Sequence, residues 1–431
     1  MNAADARQMI RSEKGIELFS KLYGKDSLEF QTERYDHVID GFTETYPRDE
    51  DFLLFSSPGR TEISGNHTDH NHGKVIGGSI NLDCIAAAAV NDSNCIHILS
   101  ETFQQKFTVD LNEIEPGPKH AGTAELLKGI LKGFRENGYR TGGFDAYITS
   151  NVISSAGVSS SAAFETLICQ ILNTMFNSGT MEKTEYAQIG KYAENKYWNK
   201  GSGLLDQMCC AVGGLITIDF KNPAEPSVKK INFDFAGAAH SLIIVQTGKG
   251  HADLTEDYSS IPDEMRSVAG FFKKEFLADI SEQDVLDHLN EIRQVTGDRA
   301  VMRSFHFFEE NRRVDAEVEA LEKGDFNTFL KNITESGNSS WKYLQNCYTT
   351  REPEEQGISI FLALTELFLA RKQCGACRVH GGGFAGVIMA LIPNELVDEY
   401  IFYMDRYTGK GNAYRMFIRP LGSICINGEI C

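Results

Sequence analysis

Ser154-Ser-Ala-Gly-Val-Ser-Ser-Ser-Ala-Ala163 is the stretch on which the reading of this chain turns. A strand-like run, Phe144–Thr149, precedes it, and apolar residues at helical spacing follow it from Ala162 to Phe176. A strand, a loop of small residues and a helix start together make an anion site. Small side chains let backbone N–H groups approach a phosphate, and the helix N-terminus adds a favourable dipole. Serine hydroxyls can donate to phosphate oxygens or coordinate Mg²⁺. The plainer reading, a serine-rich helix cap, stays open on these residues alone. No Gly-Lys-Ser/Thr stands nearby, so this is not a Walker loop, and the Gly-x-Gly-x-x-Gly spacing of a dinucleotide fold is absent too.

Helical spacing of apolar residues also predicts helices over Ala124–Phe134, Lys183–Trp198, Pro262–Phe276, Val285–Val295, Arg299–Leu321, Phe326–Glu335 and Gly357–Arg371. Pro262 is expected in the first turn of its helix, where a missing N–H costs nothing. Strand-like runs are Phe52–Ser56, Cys95–Leu99, Gly214–Phe220, Leu242–Thr247, Gly386–Leu391 and Tyr414–Ile418. Mixed helices and strands make the fold α/β or α+β. Asp219–Pro226 reads as a linker between a strand-rich half and a helix-rich half, giving expected domains 1–222 and 223–431.

The 431 residues suffice for two or three domains with cores of their own. With 42% hydrophobic and 24% charged residues the composition is that of an ordinary globular protein. A net charge of −18 repels phosphate backbones at long range, so neither nucleic acid nor an anionic membrane is expected as a partner. No run reaches the roughly 18 apolar residues of a membrane span. Met1–Lys14 has no apolar core of a secretory signal. The ten scattered cysteines are read as reduced thiols, which points to the cytoplasm, and the chain is expected to act as a monomer.

Three further stretches carry chemistry. Pro58-Gly-Arg-Thr-Glu-Ile-Ser-Gly-Asn-His-Thr-Asp-His-Asn-His-Gly73 is dense in polar groups just after a strand. Arg60 suits a phosphate oxygen, and His67 and Asp69 suit sugar hydroxyls. The same stretch holds His67, Asp69, His70 and His72 within six residues, so a zinc site of a metal-dependent hydrolase is the rival reading, and a polar turn a third. Cys377-Arg-Val-His-Gly-Gly-Gly-Phe-Ala-Gly386 has three consecutive glycines, more than a simple turn needs. In Gly201-Ser-Gly-Leu-Leu-Asp-Gln-Met208, Asp206 is a lone acid among apolar residues. Burying it requires a basic partner, for which Arg60 is the natural choice.

The order of these motifs resembles that of the galactokinase branch of the GHMP small-molecule kinases. The family's Gly-Arg-x-x-x-x-Gly-x-His-Thr-Asp-x-Asn-x-Gly signature is matched by Gly59 to Gly73. Its Gly-Leu-Ser-Ser-Ser-Ala loop is matched by Gly157 to Ala162, its Gly-Ile-Met-Asp-Gln by Gly203 to Gln207, and its Gly-Gly-Gly-Phe-Gly-Gly by Gly381 to Gly386. The resemblance implies an α+β fold of two domains with the active site in the cleft between them. It also implies ATP-dependent phosphorylation of a hexose at C1, with ATP and Mg²⁺. On the family pattern Asp206 falls on the catalytic base and Arg60 on the arginine that pairs with base and phosphate. Ser155, Ala156, Gly157, Val158, Ser159, Ser160, Ser161 and Ala162 fall on the ATP loop, and Ser161 and Glu194 on Mg²⁺ positions. Asn66, His67, Asp69, Gly203 and Tyr258 fall on sugar-contacting positions, the last in His251-Ala-Asp-Leu-Thr-Glu-Asp-Tyr258.

The pattern breaks where ligands would touch. The family's Glu before His-Thr-Asp is Asn66, its Tyr after that Asp is His70, the glycine opening the serine loop is Ser155, the Thr before the glycines is His380, and a late Gly is Ala385. In galactokinases the replaced glutamate lies near the sugar 6-hydroxyl. Two like charges about 4 Å apart at an effective dielectric of about 20 cost roughly 4 kcal/mol, enough to choose a substrate. An amide at 66 therefore opens the alternative of galacturonate, as in plant galacturonate kinases, with Lys249 or Lys200 as counter-ion. Galactose remains the first expectation.

Overall fold

The computed structural model of the chain describes residues 1–47, 51–117, 122–153, 157–199, 203–235, 237–248 and 254–430. Three helices come first, α1 (Ala3–Ile10), α2 (Glu13–Tyr23) and α3 (Leu28–Thr45). Strands β1 (Leu53–Ser64), β2 (Lys74–Val90), β3 (Cys95–Ser100) and β4 (Gln105–Asp110) follow, then α4 (Thr123–Glu136), β5 (Phe144–Ser150), α5 (Ser160–Phe176), α6 (Lys183–Tyr197) and α7 (Leu205–Val212). A hairpin, β6 (Leu215–Asp219) and β7 (Ser227–Ile231), leads to β8 (His240–Gln246). Next come α8 (Thr255–Phe271), α9 (Glu282–Asp287), α10 (Leu289–Thr296), α11 (Asp298–Glu322) and α12 (Phe326–Ser339), the last running into a π-helical turn at Ser340–Leu344. The chain continues through α13 (Gly357–Lys372), β9 (Ala376–His380), β10 (Val387–Pro393), α14 (Val397–Thr408), β11 (Ala413–Met416), β12 (Ile424–Cys425) and α15 (Ile426–Ile430).

Among the described residues the strands form two sheets. The larger runs β12-β1-β2-β5-β3-β4, with β6 and β7 attached through β2, and only β3–β5 is parallel. The smaller is the antiparallel set β11-β8-β10-β9. Its strands read as continuous apolar runs because both faces are covered, one by α13 and α14, the other by α12. The expected boundary between residues 222 and 223 lies in the turn of the β6–β7 hairpin, and both strands of that hairpin belong to the larger sheet. The short strand β12 returns from the far end of the chain to pair with β1.

Two long strands position the site; the sequence predicts only the start of one, β1, and no strand at all where β2 lies. The expected strand at Phe52–Ser56 continues through Pro58 and Gly59 to Ser64, because a register shift between Pro58 and Arg60 absorbs the proline. β2 contains Gly77, Gly78 and the run Ala86–Ala89, all poor strand formers, and is held by β1 and β5 on its two sides and by β6 at its start. A Cβ on Gly77 would meet Cys209 Sγ at 2.6 Å and Leu205 Cδ1 at 2.8 Å. The missing side chain is what lets α7 lie flat on β2.

Other expectations shift. α8 starts at Thr255, so Pro262 sits inside the helix rather than in its first turn. The upstream turns bring Tyr258 to the glycine loop. The helix expected over residues 285–295 is broken at His288, whose φ of −116° is not helical. None of the described helices is long and apolar enough to cross a membrane.

Candidate active site

Arg60 and Glu62 lie two residues apart in a regular stretch of β1, so they share one face of the strand. Gly59, just before them, has no Cβ because one would meet the carbonyl oxygen of Val158 at 2.6 Å. That close approach docks the serine loop on β1, and the Arg60 N–H donates to the same carbonyl at 3.1 Å. The Arg60 side chain then reaches two ways. Its Nε donates to Asp206 Oδ1 at 2.6 Å and one terminal nitrogen donates to the carbonyl of Gly157. The expected ion pair is therefore present, with the arginine 10% and the aspartate 32% exposed. Asp206 lifts the Arg60 guanidinium above its ordinary value despite burial.

Asp206 is the second residue of α7, where unpaired backbone N–H groups favour an anion. Its other oxygen accepts the hydroxyl of Ser159. Ser159 caps α5 in the left-handed region, φ 60°, and that backbone turn aims the hydroxyl at the aspartate. Two residues on, Ser161 donates to Glu194 Oε1 at 2.9 Å. Gln207 Nε2 donates to Glu194 Oε2 at 3.1 Å and to Glu165 Oε2 at 3.0 Å, while its own buried Oε1 has no partner among the described residues. Serine hydroxyl, carboxylates and an orphaned amide oxygen make a set of hard donors on the loop side of Asp206.

On the other side of Arg60 and Asp206 opens a cavity of about 200 Å³, reached by Glu62, Asn66, His67, Asp69, His70, Gly203 and the glycines 381 and 382. Gly203 is confined by Asp69, since a Cβ there would lie 2.5 Å from Asp69 Oδ2. His67, at φ 59°, donates from Nε2 to the Gly382 carbonyl at 2.8 Å, and burial drives it well below the ordinary histidine range. Tyr258 donates to the Gly383 carbonyl at 2.9 Å and stacks edge-on to Phe384, so it supports the glycine loop from behind. A Cβ on Gly382 would strike its ring at 2.3 Å.

Asn66 is fully buried. Its amide donates to Glu62 Oε1 at 2.8 Å and to the Gly381 carbonyl at 2.7 Å, and its Oδ1 accepts Asn346 Nδ2 at 2.8 Å. His306 Nε2 donates to its backbone carbonyl at 2.9 Å. His380 accepts at Nε2 from the Glu62 N–H at 3.2 Å, which fixes the proton on Nδ1, and burial pushes its pKa down to about 3.

Of the residues expected from sequence, Arg60, Asn66, His67, Asp69, Gly203 and Asp206 meet at the cavity. Gly157, Val158, Ser159, Ser160, Ser161, Ala162 and Glu194 lie on its loop side. Ser155 and Ala156, with Ser154, Lys200, Lys249 and His251, lie outside the described residues. The histidines do not gather as a zinc site would require. His72 turns away to stack on Phe276 at 3.8 Å, and among the described residues no three His, Cys, Asp or Glu side chains converge on a metal position. Glu62 and its anchor Arg378 were not singled out from sequence, because nothing in the chain order signals that β9 reaches β1. Asn346 was missed for the same reason. It is placed by the π-helical turn before it, a local irregularity without a sequence mark.

Two family models match the chain, the galactokinase galactose-binding signature over residues 40–90 and the GHMP kinases N-terminal domain over residues 125–214. The galactokinase of Mannheimia succiniciproducens is 29% identical over 367 residues, covering 83% of this chain and 89% of that protein. The galactokinase of Clostridium tetani is 27% identical, covering 80% and 85%. Among solved structures, Lactococcus lactis galactokinase complexed with galactose superposes with a TM-score of 0.76 at 23% identity, over 91% of this chain and 99% of that one. The mevalonate kinase of Methanococcus jannaschii superposes with a TM-score of 0.60 at 16% identity, over 86% and 99%.

Proposed function

We propose that the chain, similar to galactokinases in sequence and matched by the galactokinase signature and the GHMP kinase N-terminal domain, is a member of the galactokinase branch of the GHMP kinases and transfers the γ-phosphoryl group of ATP to the C1 hydroxyl of galactose. The observation that carries this reading is the Arg60–Asp206 pair at 2.6 Å, with the serine loop on one side and a hexose-sized polar cavity on the other. Phosphoryl transfer asks mainly for positioning and for stabilisation of charge. Asp206 holds the C1 hydroxyl and accepts its proton or orients it, in line with the phosphorus. Arg60, fixed between Asp206 and the Gly157 carbonyl, pairs with the aspartate and offsets the charge that builds on the transferring group. The backbone of Gly157–Ala162 and the start of α5 receive the phosphates. His67, Asp69 and Gly203 shape the sugar cavity, and Tyr258 acts through the glycine loop it supports.

Ser161 and Glu194, with the Gln207 oxygen left without a partner among the described residues, are the side chains that would hold Mg²⁺, and the ion would neutralise part of the phosphate charge there. The protein supplies few ligands there, in keeping with an ion that retains water and phosphate oxygens. We assign residues 1–222 to a domain carrying the sugar signature and phosphate loop, to whose sheet β7 and β12 add strands, and the rest of 223–431 to one carrying the glycine loop, with the enzyme acting as a cytoplasmic monomer. The galacturonate alternative rested on a free amide at 66. The Asn66 side chain is spent on protein partners and a carboxylate, Glu62, lines the cavity beside it, which favours galactose.

Asp206→Asn tests the assignment. It should abolish ATP-dependent phosphorylation of galactose while galactose still binds, measured by a coupled ADP assay and by calorimetry. Full activity in that variant would refute the role given to Asp206.

A further inference from the structure

Glu62 has two unlike oxygens. Oε1 is clamped, accepting the Asn66 amide at 2.8 Å and Arg378 Nη2 at 3.1 Å. Arg378 is itself fully buried on β9, with its remaining nitrogens held by the carbonyls of Ile63 and Val379, each at 2.9 Å. Oε2 accepts no hydrogen bond among the described residues, and Glu62 lines the cavity. A carboxylate fixed at one oxygen and open at the other is a preorganised acceptor for a hydroxyl. Its place along β1 sets which hydroxyl. Glu62 stands roughly 7 Å from Arg60 on the same strand face. With C1 held at Asp206, the ring edge remote from C1 faces Glu62.

We propose that Glu62 is the specificity-determining residue of the sugar cavity, its Oε2 accepting a hydroxyl on the ring edge opposite C1, and that Asn66 and Arg378 are the positioning residues that hold it there. This rests on the hexose 1-kinase reading above. Asn66 thereby serves as a strut, with no hydrogen-bonding group left for the sugar. An acid at 62 also repels a substrate carboxylate on that edge, so the cavity selects a neutral hexose over its uronic acid.

The test is a sugar panel against wild type and Glu62→Gln, with galactose, its 3-, 4- and 6-deoxy analogues and galacturonate as acceptors. In wild type, one deoxy analogue should lose roughly 10- to 100-fold in kcat/KM, the loss of one charged hydrogen bond. In Glu62→Gln that penalty should shrink to within about threefold, KM for galactose should rise about tenfold, and KM for ATP should stay put. Galacturonate should be a poor substrate for wild type and a relatively better one for the variant. Because the amide leaves Arg378 without its carboxylate, Glu62→Asp serves as the second variant. It keeps a negative charge beside Arg378, draws the open oxygen back, and should show the same rise in KM for galactose. Unaltered deoxy penalties in both variants, or a wild type that prefers galacturonate, would overturn the assignment of Glu62. A wild type that phosphorylates none of these sugars would instead sink the functional reading on which it rests.

Discussion

Arg60→Met tests how the site divides its work between geometry and charge. Two contacts are lost at once, the Nε bond to Asp206 at 2.6 Å and the bond to the Gly157 carbonyl. In a site of effective dielectric about 20, a full charge some 4 Å away is worth about 4 kcal/mol. Asp206 is 32% exposed, so solvent screens part of that. Removing one preorganised donor from a reacting centre costs about 10²–10³ in kcat, and the partial exposure argues for the lower end, about 10². The loss should fall on kcat, since the pair acts on charge that develops in the transition state, with KM for galactose changed much less. Arg60→Lys should recover only part, because a single ammonium cannot reach both Asp206 and the Gly157 carbonyl. Steady-state kinetics by coupled ADP release, with a thermal melt as control, provide the readout. A kcat within about threefold of wild type in Arg60→Met, alongside an inactive Asp206→Asn, would show that Asp206 needs no counter-ion and refute the reasoning.

Gly203→Ala places a methyl 2.5 Å from Asp69 Oδ2, so Asp69 must shift; KM for galactose should rise about tenfold while stability holds within about 1 kcal/mol, checked by kinetics and urea unfolding. Burial beside Glu310 pushes the Glu317 carboxyl up to about 8. A raised acid contributes stability fully present below its unfolded value near 4.5 and lost as pH rises through 8, so Glu317→Gln should gain stability over wild type progressively between those values, reaching a few kcal/mol above about pH 8. Equal stability of the two proteins at pH 8.5 in urea titrations would count against a buried neutral glutamate.

The ordered motifs made much of the site readable before any coordinates, because each is a local device: a serine loop at a helix start, glycines where backbones approach, a lone acid needing a cation. Arg60 and Asp206 could be paired on the expectation that a lone acid among apolar residues needs a cation; the pair is present, although Asp206 is about one-third exposed to the cavity. What escaped was set by tertiary contact. β2 hides behind Gly77, Gly78 and its alanines, whose value lies in letting α7 and neighbouring strands come close. The family pattern puts Asn66 at the sugar, but sequence cannot show that Gly381, Glu62 and Asn346 all claim its amide. Nothing in the sequence marks Glu62, because the guanidinium that fixes it stands on β9, more than three hundred residues away in the chain. The amphipathic α2 and the longer α3, which cover the outer face of the larger sheet with Phe19, Tyr35 and Phe42, begin after a charged terminus that carries no strong helical signal of its own.

On the proposed function, the cavity, the Arg60–Asp206 pair and the serine loop together place a phosphate on the C1 oxygen of galactose. Phosphorus and proton NMR of the wild-type reaction with galactose, ATP and Mg²⁺ addresses it directly. ADP and a single sugar product whose phosphorus couples to the anomeric proton are expected. A product phosphorylated at another carbon, or release of inorganic phosphate with galactose untouched, would contradict it.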